Sequence, residues 1–328
     1  MIVVVGGAGF IGSNILAGLQ VQGYRDLVAV DWLGKANKWN NIAKRELAAV
    51  VAPENMWQYL VQWRDSIDTI VHMGAISSTT EMDVDLIINT NFVLSWRLWE
   101  FCRDYDKRFI YASSAATYGD GSLGFCDDNS VEFLNSLRPL NPYGWSKALF
   151  DRKVAREVRE GRGTPTQYVG LKFFNVYGPN EYHKGNQMSV VAHIFPDAKA
   201  HREVKLFRSY DVRYRDGEQL RDFVWVGDVV SVVLWMMRNP QVNGIFNVGT
   251  GAARSFHELA EAVYRSMDVV PIIGYRDMPA ELRDKYQYYT QADLTRLRAV
   301  GYSDAMTSLE DGVCKYVQEY LNGDDMYV

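Results

Sequence analysis

The chain has 328 residues, 48% of them apolar, which is enough to bury a sizeable core and excludes a disordered protein. Its 40 acidic and 35 basic side chains leave a formal charge of -5 and are mixed without long single-sign blocks. That balance recommends neither nucleic acid nor an anionic membrane as partner and leaves a small molecule as the default. Cys102, Cys126 and Cys314 are too scattered for a disulfide framework or a zinc site, so no metal is expected.

The opening MIVVVGGAGFIG has no basic leader, and no apolar run approaches the roughly 18 residues of a membrane span, which predicts a cytoplasmic protein. Ile2 to Val5 is a β-branched run; Ile11, Ile15, Leu16 and Leu19 then recur at helical spacing up to Gly23, giving strand, loop and helix. Gly6, Gly9 and Gly12 fill the loop as G-x-x-G-x-x-G, where absent side chains let a pyrophosphate reach the amides of a helix N-terminus. Leu27 to Val30 predicts a second strand ending at Asp31, a carboxylate placed to accept hydrogen bonds from ribose hydroxyls and so suited to NAD. Lys35 and Lys38 follow, and either could pair with the 2'-phosphate of NADP.

Further strands are predicted at Thr69 to His72 and Arg108 to Ala112, separated by amphipathic stretches. Small residues at Gly74, Ala75 and Ser77 allow a cofactor to pass the sheet edge, and Ser113 and Ser114 end the later strand. Ser114 is the hydroxyl expected to orient a reacting oxygen, with Ser113 structural. In NPYGWSKALFD, Tyr143 and Lys147 lie four apart on a predicted helix, hence on one face. An ammonium beside a phenol stabilises the phenolate, so Tyr143 is the expected base and Lys147 both its tuner and a ribose ligand.

A helix to about Glu160 and a strand near Tyr168 to Phe173 continue the alternation, after which the chain turns irregular. Asp228 is expected to N-cap a helix reaching Arg238, and Thr307 with Glu310 to form a capping box before the last helix. The fold class is therefore α/β: a Rossmann-type doubly wound parallel sheet with a smaller, irregular C-terminal substrate-binding lobe. The dinucleotide domain is expected over 1–170 with a return at about 223–250, and the substrate lobe over 171–328.

The glycine turn, the serine strand YASSAATYG and the Tyr-x-x-x-Lys helix, in this order, resemble the extended short-chain dehydrogenase/reductase family. The likeness continues through RDFVWVGDV and FNVGTG, and such proteins act mostly on nucleotide-diphosphate sugars. Arg221 can then hold the diphosphate as a charge-assisted donor, or form a structural ion pair with Asp222.

GAISSTTE, YASSAATYG, FFNVYGPNEYHKG and YTQADL resemble the branch of bacterial epimerases that invert C6 of an ADP-linked heptose for lipopolysaccharide core. That resemblance implies NADP, with NAD possible, and a homo-oligomer, pentameric in that branch. It also implies two proton handlers, Tyr143 and Lys184. For the cofactor it adds Phe10, Ile11, Trp32, Met73, Ile76, Thr90, Asn91 and Val176. For substrate it implies Ser114, Asn175, Asn186, His193, Phe207, Arg208, Ser209, Tyr210, Arg221 and Tyr286. In VVAPENM no basic residue answers the one which that branch places about fifteen positions beyond Lys38, and an insertion spans Val212 to Glu218. Another nucleotide-sugar 4-epimerase, dehydratase or reductase would share every motif through Lys147, and a cofactor-sensing protein without catalysis is a further alternative.

Overall fold

A computed structural model describes residues 1–283 and 286–328 of the chain. Among the described residues twelve strands follow in order: β1 (Ile2–Val5), β2 (Leu27–Val30), β3 (Ala49–Val51), β4 (Thr69–His72), β5 (Arg108–Ser114), β6 (Gln167–Phe173), β7 (Asn175–Tyr177), β8 (Val204–Phe207), β9 (Leu220–Trp225), β10 (Gly244–Val248), β11 (Ala253–Ser255) and β12 (Ile273–Arg276).

Seven of them form a parallel sheet in the order β10-β6-β5-β4-β1-β2-β3. β1, β2 and β4 are buried along their whole length because helices cover both faces. On one face, helices Phe10–Val21 and Val226–Arg238 enclose Ile15, Leu16, Val229 and Val232 against Ile2 and Val4. Gly18 permits their approach, since a Cβ there would stand 2.4 Å from Val230 Cγ1. Helices Leu94–Asp104 and Pro142–Glu160 bury Leu98, Trp99, Phe150 and Val154 on the other face.

The strand order reverses between β1 and β4, which opens a crevice at their carboxyl ends. Over that crevice lies the second lobe, built on β11-β9-β7 and the pair β12-β8. Its own core joins Val191, Leu206, Phe223, Leu259, Val263 and Val313.

Two helix starts differ from the sequence expectation. Trp225, not Asp228, precedes the helix Val226–Arg238; Asp228 lies within its first turn and accepts hydrogen bonds from Thr307 N and Oγ1, both at 2.8 Å. With Thr307 so engaged, Ser308 caps the helix Leu309–Lys315 by accepting from Asp311 N. The lobes also interleave: β6 runs to Phe173, β10 closes the sheet edge, and Leu297 and Tyr302 from the late chain pack into the sheet's core.

Candidate active site

The carboxyl ends of the central strands open into one cleft of about 1680 Å³, reaching from Asp31 to Tyr286. At its floor Gly6 has φ +80°, and a Cβ on it would meet Gly74 N at 2.4 Å. A Cβ on Gly12 would lie 2.1 Å from the Gly6 carbonyl oxygen. Strand therefore passes to helix through a turn whose one side chain is the Ala8 methyl, and Gly9 caps the helix without a side-chain acceptor on its free amides. Free amides at a positive helix end can take up an anionic group such as a pyrophosphate. Gly12→Ala is expected to displace the Gly6 peptide at about 1–3 kcal/mol, as overpacking does. Its melting temperature should fall and no longer rise with added dinucleotide; an undiminished ligand-induced rise would contradict this.

Asp31 closes one end of the cleft. Its Oδ2 accepts from Ala8 N at 3.0 Å and its Oδ1 from Lys38 Nζ at 2.6 Å, while Lys38 also donates to the Trp32 carbonyl at 2.9 Å. Glu54, from the VVAPENM stretch, lines the same end and accepts from Trp32 Nε1 at 2.6 Å. Met73, Gly74, Ala75, Ile76, Ser77 and Thr90 form the adjoining wall. Asn91 is buried behind it and bonds Ile76 N, Ile76 O and Ser146 Oγ, so it fixes that wall to the tyrosine helix instead of facing the cleft.

The tyrosine helix starts where Asn141 Oδ1 accepts from Gly144 N at 2.8 Å and Pro142 takes the first turn. Gly144 brings it against the serine turn, because a Cβ there would stand 2.6 Å from the Ala116 carbonyl oxygen. Tyr143 and Lys147 both line the cleft, with Lys147 Nζ donating to the Ala112 carbonyl at 2.8 Å. Burial brings the Lys147 ammonium down to about 8, opposed by Asp151. The expectation that the ammonium lowers Tyr143 is not met in the free protein. Burial pushes the phenol above its ordinary value, and the Ser114 hydroxyl only partly offsets it. Ser113 donates to Asp151 at 2.7 Å.

Lys184 lies on a short turn, Tyr182–Gln187, on another wall of the cleft, with Nζ 5.2 Å from the Phe10 ring centroid. Burial lowers its affinity for a proton, with Glu181 opposing. Beside it His183 enters the cleft wall, its Nδ1 3.1 Å from Asn41 Nδ2, and burial brings it to about 4, so it is neutral at pH 7. Asn41 also donates to the Ala8 and Asn180 carbonyls, tying the glycine loop to the Lys184 segment. Sequence reading missed His183, Glu54 and this asparagine bridge; His183 alone had a signal, as the neighbour of Lys184.

Residues 325–328 strap these segments together. Tyr182 Oη donates to the Met326 carbonyl at 2.8 Å, Val328 N to Asn180 Oδ1 at 3.1 Å, and Tyr327 packs edge-on against Tyr182. Two such hydrogen bonds and a ring contact amount to about 1.4 kcal/mol or more, a factor of about ten. Deleting 325–328 is accordingly expected to speed dinucleotide release about tenfold in a displacement experiment; an unchanged off-rate would refute it.

At the far end, Asn175, Val176, Asn186, Arg221 and Tyr286 line the cleft. Arg221 does not pair with Asp222, which instead accepts from Thr250, Gly251 and Ala292. The buried guanidinium lies 4.8 Å from the Tyr286 ring centroid, and among the described residues no carboxylate is within ion-pair distance of it. The expected substrate residues His193 and Phe207 to Tyr210 do not join this wall. His193 Nε2 faces the Asn186 carbonyl at 3.3 Å, Phe207 lies under Arg276, Arg208 pairs loosely with Asp277, Ser209 N bonds Asp216, and Tyr210 is held by Asp277 and Arg283. Their own contacts keep that loop on the surface.

Comparison with known proteins agrees with this geometry. The NAD dependent epimerase/dehydratase family matches residues 2–249. The chain is 46% identical, over 100% of both sequences, to ADP-L-glycero-D-manno-heptose-6-epimerase of Fusobacterium nucleatum. It superposes on the crystal structure of the Helicobacter pylori ADP-L-glycero-D-manno-heptose-6-epimerase with TM-score 0.77 and 30% identity, covering 97% of this chain and 95% of that one. MoeE5 in complex with UDP-glucuronic acid and NAD matches with TM-score 0.75 and 25% identity over 97% and 99%. The chain belongs to the NAD dependent epimerase/dehydratase family.

Proposed function

We propose that the protein inverts C6 of ADP-D-glycero-D-manno-heptose to the L-glycero epimer, a precursor of lipopolysaccharide core, by transient oxidation of the C6 carbinol. The carrying observation is that one cleft joins Tyr143 beside Lys147 with a second, half-buried amine, Lys184, on a different wall. Two proton handlers suit an inversion in which the oxygen is presented from two directions; a one-base reductase has no use for the second. The full-length likeness to a named 6-epimerase directs the choice of sugar.

A bound nicotinamide dinucleotide, held by the glycine turn, Asp31 and Lys147, would supply the hydride acceptor and donor, so that no net redox change results. Tyr143 takes the C6 hydroxyl proton while Ser114 orients that oxygen and Lys147 stabilises the phenolate. The C6 ketone turns its other face, and Lys184 protonates the oxygen as hydride returns. Tyr143 thus ends one proton richer and Lys184 one poorer, and exchange with water resets both. Arg221, which no carboxylate among the described residues pairs, holds the diphosphate, with Asn175, Asn186 and Tyr286 around the sugar nucleotide.

NADP is the assigned cofactor, with Lys38 leaving Asp31 for the 2'-phosphate. Asp31 and Glu54 favour the free ribose of NAD, which is the second reading, and separate dissociation constants for the two decide between them. A homo-oligomer in the cytoplasm completes the assignment. Incubation with ADP-D-glycero-D-manno-heptose, followed by proton NMR at C6, should show inversion without accumulated reduced nicotinamide. No inversion with NADP or NAD supplied would move the chain to another nucleotide sugar.

A further inference from the structure

A third ionisable residue extends the face of the helix that carries Tyr143 and Lys147. Asp151 lies one turn beyond Lys147 and is completely buried. It accepts from Ser113 Oγ at 2.7 Å, from Tyr111 Oη at 3.1 Å and from Lys172 Nζ of β6 at 2.6 Å. Lys172 also donates to Thr117 Oγ1 at 2.7 Å, and both members of the ion pair are 1% exposed. The proton-transfer scheme uses neither residue. A buried ion pair is a poor stabiliser beside apolar packing of equal volume, so its position behind the reacting phenol calls for another account.

Few groups face the Tyr143–Lys147 couple. β4 supplies His72, fully buried and brought to about 3 by burial and by Lys147, hence uncharged. β5 supplies Ser114 and, deeper, Tyr111; the turn after it brings Tyr118 and Thr117 onto Lys172. The helix itself supplies Asp151, β6 supplies Lys172, and Lys184 stands across the cleft. Asp151 raises the proton affinity of both Tyr143 and Lys147.

We propose that the Asp151–Lys172 pair sets the charge felt by the Tyr143–Lys147 couple: Asp151 keeps the buried Lys147 protonated, and Lys172 cancels enough of that field for the phenol to release its proton. Both are positioning residues, since neither touches substrate or cofactor, and the inference rests on Tyr143 being the base.

The signs follow from electrostatics alone. Removing a nearby negative charge lowers the pKa of every adjacent proton site, and removing a positive one raises it. At an effective dielectric of about 20 and a separation of several ångströms, either change amounts to roughly one pH unit. Asp151→Asn should therefore move the acid limb of the pH profile for substrate-driven cofactor reduction to lower pH, and Lys172→Met should move it to higher pH. Asp151→Asn preserves the shape of the site and decides the matter if Lys172→Met does not fold. Opposite shifts support the proposal, as does the downward shift alone; a profile superimposable on the wild type, or shifts of the same sign, overturns it. Tyr143→Phe serves as control: a limb that persists there removes the Tyr143 assignment itself, whereas a limb lost there but unmoved by either variant removes only the pair's role.

Discussion

Tyr143→Phe is expected to lower epimerisation roughly 10³-fold while leaving the protein folded and its dinucleotide bound. Loss of a general base removes about 10²–10⁴ in rate, and neither polar neighbour of the phenol can replace it. Ser114 has no charge to accept the proton, and Lys147 is turned to the Ala112 carbonyl at 2.8 Å. Only the phenolic oxygen is deleted, so the ring still fills its place against the serine turn, and the glycine loop, Asp31 and Lys38 remain to hold the cofactor. Dinucleotide titration should give a dissociation constant within about threefold of wild type, and a thermal melt an unchanged midpoint; retained turnover would remove Tyr143 from the chemistry.

Lys184→Met should separate the two halves of the reaction. Oxidation at C6 needs only Tyr143 and its partners, so substrate should still generate reduced nicotinamide in a single turnover. Inversion needs the second proton handler and should fall roughly 10²–10³-fold. Methionine retains the aliphatic length beside the Phe10 ring while removing the ammonium, which keeps packing changes small. Equal loss of the reduction burst and of inversion would indicate that Lys184 serves the cofactor alone. An undiminished inversion rate would return the enzyme to one-base chemistry.

What the sequence made legible is what short spacing encodes. The glycine turn, the acid closing β2 and the Tyr143–Lys147 helical pair are each specified by residues a few positions apart, and the structure forms them where local physics places them. Capping was less readable because Asp228 and Thr307 satisfy each other across the fold, which shifts both helix starts. The bridge from Asn41 to Asn180 and His183 joins segments far apart in the chain, and no periodicity announces it. Nor could spacing reveal that burial outweighs the ammonium at Tyr143, because desolvation depends on the whole packed lobe. The segment Phe207 to Tyr210, implied for substrate by the resemblance, lies outside the cleft, where its contacts with Asp216, Asp277 and Arg283 hold it.

On this mechanism C6 inverts by departure and return of one hydride within the cleft. The most direct test uses ADP-D-glycero-D-manno-heptose deuterated at C6, incubated with the purified enzyme in ordinary water. Oxidation and reduction on a retained cofactor predict an L-glycero product that keeps its deuterium at C6. Product that carries hydrogen there, with the label lost to solvent, would contradict the account and point to removal of C6 hydrogen as a proton.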